Sequence, residues 1–119
     1  MPSRPKPRTK PKPKPPRDDS FKEFVADQLS GIDGVAFRAM FGGYGIYRRG
    51  AFFGIVYRNR LYFKTDDRTA VKYVERGMDC FQPGAGKRMR HFHEVPGDVI
   101  EDAPELCAWA LEAVAVAGR

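Results

Sequence analysis

The first 17 residues hold seven of the chain's ten prolines and seven cations, with no acid and no aliphatic side chain other than Met1. Such a segment has nothing to bury, so burial cannot offset the entropy of ordering it. Any core must come from residues 18–119. We expect residues 1–17 to be disordered and extended, with local polyproline II character that keeps successive cations apart. The charge divides at the same place. Arg4, Lys6, Arg8, Lys10, Lys12, Lys14 and Arg17 give the segment +7, whereas the other 14 bases meet all 15 acids, so the rest of the chain stands at −1 within a total of +6.

A cationic arm of this kind suits the phosphate backbone of a nucleic acid. About five phosphate contacts would make log K fall with log salt at a slope of roughly −4.5 on a duplex, without base specificity. A solvated spacer is the plainer reading of the same composition, and a ligand for a polyproline-binding domain is a third. No apolar stretch follows the cations, as one would in a secretory signal, and amphipathic periodicity is absent. The expected location is the cytoplasm, with no membrane partner, since no apolar run approaches the length of a span.

Residues 18–119 read as one α+β domain. Ser20, Phe21, Lys22 and Glu23 match a capping box, and Phe21, Phe24, Val25 and Leu29 recur at helical spacing until Gly31. The period then changes. Val35, Phe37 and Ala39 alternate, and Gly42, Gly43 and Gly45 interrupt an aromatic run through Tyr44, Ile46 and Tyr47, which argues against helix. Turns at 48–50 and 58–60 flank strands over 51–57 and 61–64, the pattern of an antiparallel meander. Thr65 or Asp66 caps a second helix with Val71 and Val74 as its inner face and Gly77 as its end. Strands over 78–82 and 89–95 surround the loop Pro83, Gly84, Ala85, Gly86. Asp102 and Glu105 form a cap for a last helix carrying Leu106, Trp109, Ala110, Ala113, Val114 and Ala117, which should cover the sheet.

Groups able to do chemistry are sparse. Cys80 and Cys107 are far from a C-x-x-C spacing and read as buried free thiols. His91 and His93, two apart on a strand, share a face and are weak candidates for half a metal site; two ligands do not define one. The Gly84–Arg88 stretch lacks the Ser or Thr and the helix of a Walker loop, and reads as a hairpin turn. Asp18 with Asp19, Asp66 with Asp67, and Glu101 with Asp102 all fall at helix starts, where the helix dipole favours them. Of the three serines, Ser3 lies in the arm, Ser20 at a cap and Ser30 beside the Gly31 stop of the first helix, which leaves no clear hydrolase nucleophile. We therefore expect no enzyme and no cofactor. A metal-dependent enzyme built on His91, His93 and Cys80 is the remote alternative.

The run Arg38, Ala39, Met40, Phe41, Gly42, Gly43, Tyr44, Gly45, Ile46, Tyr47 resembles the signature of the TfoX (Sxy) N-terminal domain family. The likeness continues through Phe53, Leu61, Tyr62, Phe63, Lys64, Asp66, Val95, Pro96, Asp98, Val99 and Trp109, over roughly residues 20–117. It implies a secretion-chaperone-like α-β-β-β-α-β-β-α order with helices on one face, a bacterial origin and no known enzymatic activity. It also implies a regulator of competence that acts with a transcription factor, although the namesake proteins carry a second domain. Phe92 and His93 depart from the pair of large aromatics common in the family. On this resemblance Arg38, Met40, Phe41, Gly42, Gly43, Tyr44, Gly45 and Tyr47 are the expected partner surface. Tyr44, Tyr47, Tyr57 and Tyr62 are candidates on an exposed sheet face. A protein-interaction or oligomerisation domain with an inert tail is the alternative.

Overall fold

Between Val35 and Lys64 the chain reverses three times, twice through the two-residue turns 49–50 and 58–59, and this meander is the frame of the domain. The computed structural model describes residues 19–119 apart from Phe41, Gly84, Ala85 and Lys87. Strands β1 (Val35–Met40), β2 (Gly43–Arg48), β3 (Ala51–Tyr57) and β4 (Arg60–Lys64) follow helix α1 (Ser20–Gln28). After them come α2 (Ala70–Glu75), β5 (Cys80–Phe81), β6 (Met89–Glu94), the short α3 (Gly97–Ile100) and α4 (Ala103–Ala117). At Arg49–Gly50 and Arg58–Asn59 both turn residues have positive φ, 50° and 87° in the first and 51° and 62° in the second. This is the turn twist that matches the right-handed twist of paired strands, so tight reversals follow.

The six strands form one antiparallel sheet in the order β1-β2-β3-β4-β6-β5. The α+β class holds, and the element order needs correction: four strands precede α2 rather than three, and α3 is inserted before α4. The expected strand over 78–82 shrinks to Cys80–Phe81, because its register against β6 slips between those two residues.

Among the described residues, helices cover one side of the sheet only. Val25, Leu29, Tyr73, Val99, Ile100, Leu106, Trp109, Ala110 and Ala113 join Ile46, Phe53, Val56, Leu61 and Phe63 of the strands in the main core. Two expectations about helix faces are corrected. Val71 and Val74 point outward, 51% and 61% exposed, because a six-residue helix buries one stripe and the larger Tyr73 occupies it. Phe24 is likewise 42% exposed, and α1 buries Val25 instead. Asp19, not Ser20, is the residue at the N-cap of α1, and its backbone carbonyl receives the Glu23 N–H at 2.9 Å.

The entry to α2 is locked reciprocally. Asp66 Oδ1 accepts from the N–H groups of Thr69 at 2.8 Å and Arg68 at 3.0 Å, and Thr69 Oγ1 accepts from Asp66 N–H at 2.9 Å. The bond from Thr69, then the Arg119 guanidinium, holds the Asp66 carboxyl well below the usual carboxylate range. A carboxylate favoured in the fold contributes stability above its unfolded pKa, and the contribution is lost as pH falls through the folded value. Asp66→Asn is therefore expected to melt below the parent at neutral pH, with the gap closing as a pH series descends past the unfolded value of 3.8.

The opposite side of the sheet has a second cluster built from strands alone. Ile55, Tyr62, Phe81 and Phe92 are buried there, with Phe52, Tyr57 and Met89 packed against them. Tyr57 of β3 and Phe81 of β5 meet with ring centroids 5.3 Å apart, although β4 and β6 lie between their strands. Adjacent strands are about 4.8 Å apart, so such a contact requires the sheet to curl. The helix-free side is its concave side.

Candidate functional site

A bulge fixes which aromatics reach the concave side. Tyr47 pairs with Phe52 and Ile46 with Gly54, so Phe53 is an extra residue on β3. The insertion resets the alternation: Phe53 stays in the helix-side core, while Phe52, Ile55 and Tyr57 belong to the other cluster. The result is a strip of rings with a cation at each end. Arg38 lies 5.5 Å over Tyr47, Tyr47 stacks on Phe52 at 5.0 Å and 25°, and Phe52 meets Phe92 at 5.1 Å. Lys64 Nζ closes the strip 5.1 Å over the Phe92 ring. Tyr47 and Phe52 are half-buried, which leaves ring surface open to solvent, and Phe92 is buried.

Beyond Phe92 the surface continues into a shallow pocket of about 300 Å³ lined by Lys64, Arg88, Met89, Arg90, His91 and Phe92. Its ionisable side chains are basic. Cations beside half-buried rings provide both parts of a nucleotide contact, a charge for phosphate and a π-face for a base.

Gly45 makes the strip possible. A Cβ there would lie 2.8 Å from Met40 Sδ, 3.0 Å from Tyr47 Cε1 and 3.1 Å from Phe52 Cε1. Gly43 serves the backbone instead. A Cβ on it would come 2.2 Å from the Val56 carbonyl oxygen, so β2 and β3 approach there as only glycine permits. The expected partner surface is therefore divided. Arg38, Met40, Gly45 and Tyr47 share the concave face, while Tyr44 lies among the helix-side residues. Its hydroxyl donates to Asp19 Oδ2 at 3.1 Å, and Lys22 Nζ sits 5.0 Å from its ring. Gly42 and Gly43 line a second small pocket, of about 140 Å³, with Asp19, Lys22, Tyr44 and Arg58. Phe41 and the seven cations of residues 1–17 lie outside the described residues.

The two histidines part company. His91 is exposed, whereas His93 is 6% exposed and held between Thr65 and Cys80. Among the described residues no three His, Cys, Asp or Glu side chains come together as a metal cluster. Tyr62 is buried in the concave cluster, and burial, followed by the Glu94 charge, raises its hydroxyl pKa.

Residues 27–117, most of the chain, match the family described as TfoX N-terminal domain. This chain belongs to that family. No curated protein matches it significantly. On the TfoX N-terminal fold, the glycine-rich signature thus encodes a close strand approach at Gly43 and room for rings at Gly45. Sequence reading misses Phe52, Lys64, Arg90 and Phe92 as parts of the concave surface. The alternation of β3 could signal Phe52 only with the bulge already known.

Proposed function

We propose that this TfoX N-terminal domain is a non-enzymatic regulatory module whose concave sheet face contacts single-stranded nucleic acid, with the cationic residues 1–17 adding sequence-independent phosphate contacts. The observation that carries the reading is the strip Arg38, Tyr47, Phe52, Phe92, Lys64, continuous across the sheet and ending in a basic pocket. What this face offers is stacking surface and charge, not a positioned acid, base or nucleophile. Family membership supports the regulatory half of the reading, in which a protein partner of the transcription-factor kind binds the same module.

The test is binding of a fluorescent single-stranded oligonucleotide to Tyr47→Ala and Phe52→Ala variants. Loss of one stacked base is worth about 1–3 kcal/mol, so each should bind roughly 5- to 150-fold more weakly. Unchanged affinity in variants with the parent's circular dichroism would rule out the concave face as the contact.

A further inference from the structure

A cysteine in this fold stands beside an imidazole held by a third group. Cys80 on β5 is the register partner of His93 on β6, and its Sγ lies 3.6 Å from His93 Nε2. His93 Nδ1 lies 2.9 Å from Thr65 Oγ1. Thr65 is 2% exposed and His93 6%, and the Tyr73 ring covers the imidazole at 5.7 Å, so the ring cannot swing away. Cys80 itself is only half-buried. Either tautomer assists the sulfur. With the proton on Nδ1 and donated to Thr65, Nε2 accepts from S–H; with the proton on Nε2, it donates to a thiolate. Burial, then the charges of Arg88 and His91, lower the His93 pKa against the opposing effect of Asp79, so the ring is a neutral proton acceptor at pH 7.

Cys80 also lines an open pocket of about 210 Å³ whose other walls include Arg60, Arg88, Asp79, Glu94 and Gln82. Charges of both signs stand close together, and Arg60 Nη1 donates to both Glu94 carboxylate oxygens at 3.1 and 3.2 Å. Such a wall suits a ligand that carries both ammonium and carboxylate. Cys107 provides the contrast within the same chain: its Sγ donates to the Gln28 carbonyl at 3.4 Å, whereas Cys80 Sγ has the Arg90 carbonyl only at 4.0 Å and the imidazole nearer.

We propose that Cys80 is a modification site that undergoes thiol–disulfide exchange with small zwitterionic disulfides of the amino-acid type. The Cys80 sulfur attacks one sulfur of the disulfide while His93 takes the thiol proton. A Cys80–S–S–R bond forms, the reagent's S–S bond breaks, and the departing R–S⁻ recovers the proton from the imidazolium. One protein thiol is oxidised as one reagent sulfur is reduced. No further oxidant enters.

The experiment exposes the full-length protein to glutathione disulfide and, in parallel, to the uncharged bis(2-hydroxyethyl) disulfide, and follows each cysteine by intact mass and peptide mapping. Cys80 should be modified at least 10-fold faster than Cys107 by glutathione disulfide, and His93→Gln should slow it by a similar factor. Thr65→Val, which leaves the imidazole in place but unheld, provides the same reading if His93→Gln does not fold. Arg60→Ala, at an exposed position on the same pocket wall, should slow glutathione disulfide and spare the uncharged reagent. Equal rates at Cys80 and Cys107, or a rate at Cys80 indifferent to His93 and Thr65 in folded variants, would overturn the site. Faster reaction with the uncharged reagent would overturn its zwitterion preference.

Discussion

Alanine at Gly43 is expected to destabilise the domain by about 3 kcal/mol or more, enough to remove much of the stability of a domain this size. The added Cβ would stand 2.2 Å from the Val56 carbonyl oxygen, an atom of the neighbouring strand's backbone. Backbone cannot turn aside as a side chain can, so the β2–β3 pairing itself must open. Gly45→Ala is the control. Its closest obstacles are the ends of Met40, Tyr47 and Phe52, which can move, so about 1–2 kcal/mol is expected. Chemical denaturation of the two variants separates these outcomes. If Gly43→Ala unfolds at the parent midpoint, the close approach is not a constraint on the fold.

Trp109→Ala should cost about 3–5 kcal/mol. Trp109 is 8% exposed and lies on the buried stripe of α4, where it meets Tyr73 edge-on at 4.9 Å. Lys72 Nζ at 4.7 Å and the Arg76 guanidinium at 5.6 Å lie over the same ring. The indole joins α2 to α4 beside the Lys72–Glu112 ion pair and provides the apolar part of that contact with Tyr73. Removing it leaves a cavity and releases α2, so thermal melting should fall sharply and the amides of residues 70–75 should lose exchange protection. A melting temperature near the parent's would show that α2 is held by something else.

Legibility in the sequence follows how local each determinant is. The turns at 48–50 and 58–60 and the Asp102 cap depend on neighbouring residues, and they appear where the sequence indicates them. The inner face of α2 depends on what α4 presents, so Val71 and Val74, apolar by composition, read as inward although Tyr73 takes that place. The Phe53 bulge, the curl that brings Tyr57 to Phe81, and the slip between Cys80 and Phe81 all arise between strands, and no spacing within one strand reports them. For the same reason the signature around Gly42–Gly45 is recognisable as a family trait but cannot be divided by sequence into its packing and surface parts. The encounter of Cys80, His93 and Thr65, whose residues come from three strand ends, is equally invisible there.

Charge from residues 1–17 and rings on the concave face are proposed to act on one nucleic-acid strand, and this is tested most directly by measuring oligonucleotide affinity against salt for the full-length chain and for a chain lacking residues 1–17. If about five of the seven arm cations contact phosphate, deletion should reduce the slope of log K against log salt by roughly 3.5 on a single strand, while residual binding stays sensitive to Tyr47→Ala. Identical slopes and affinities for the two chains would contradict it.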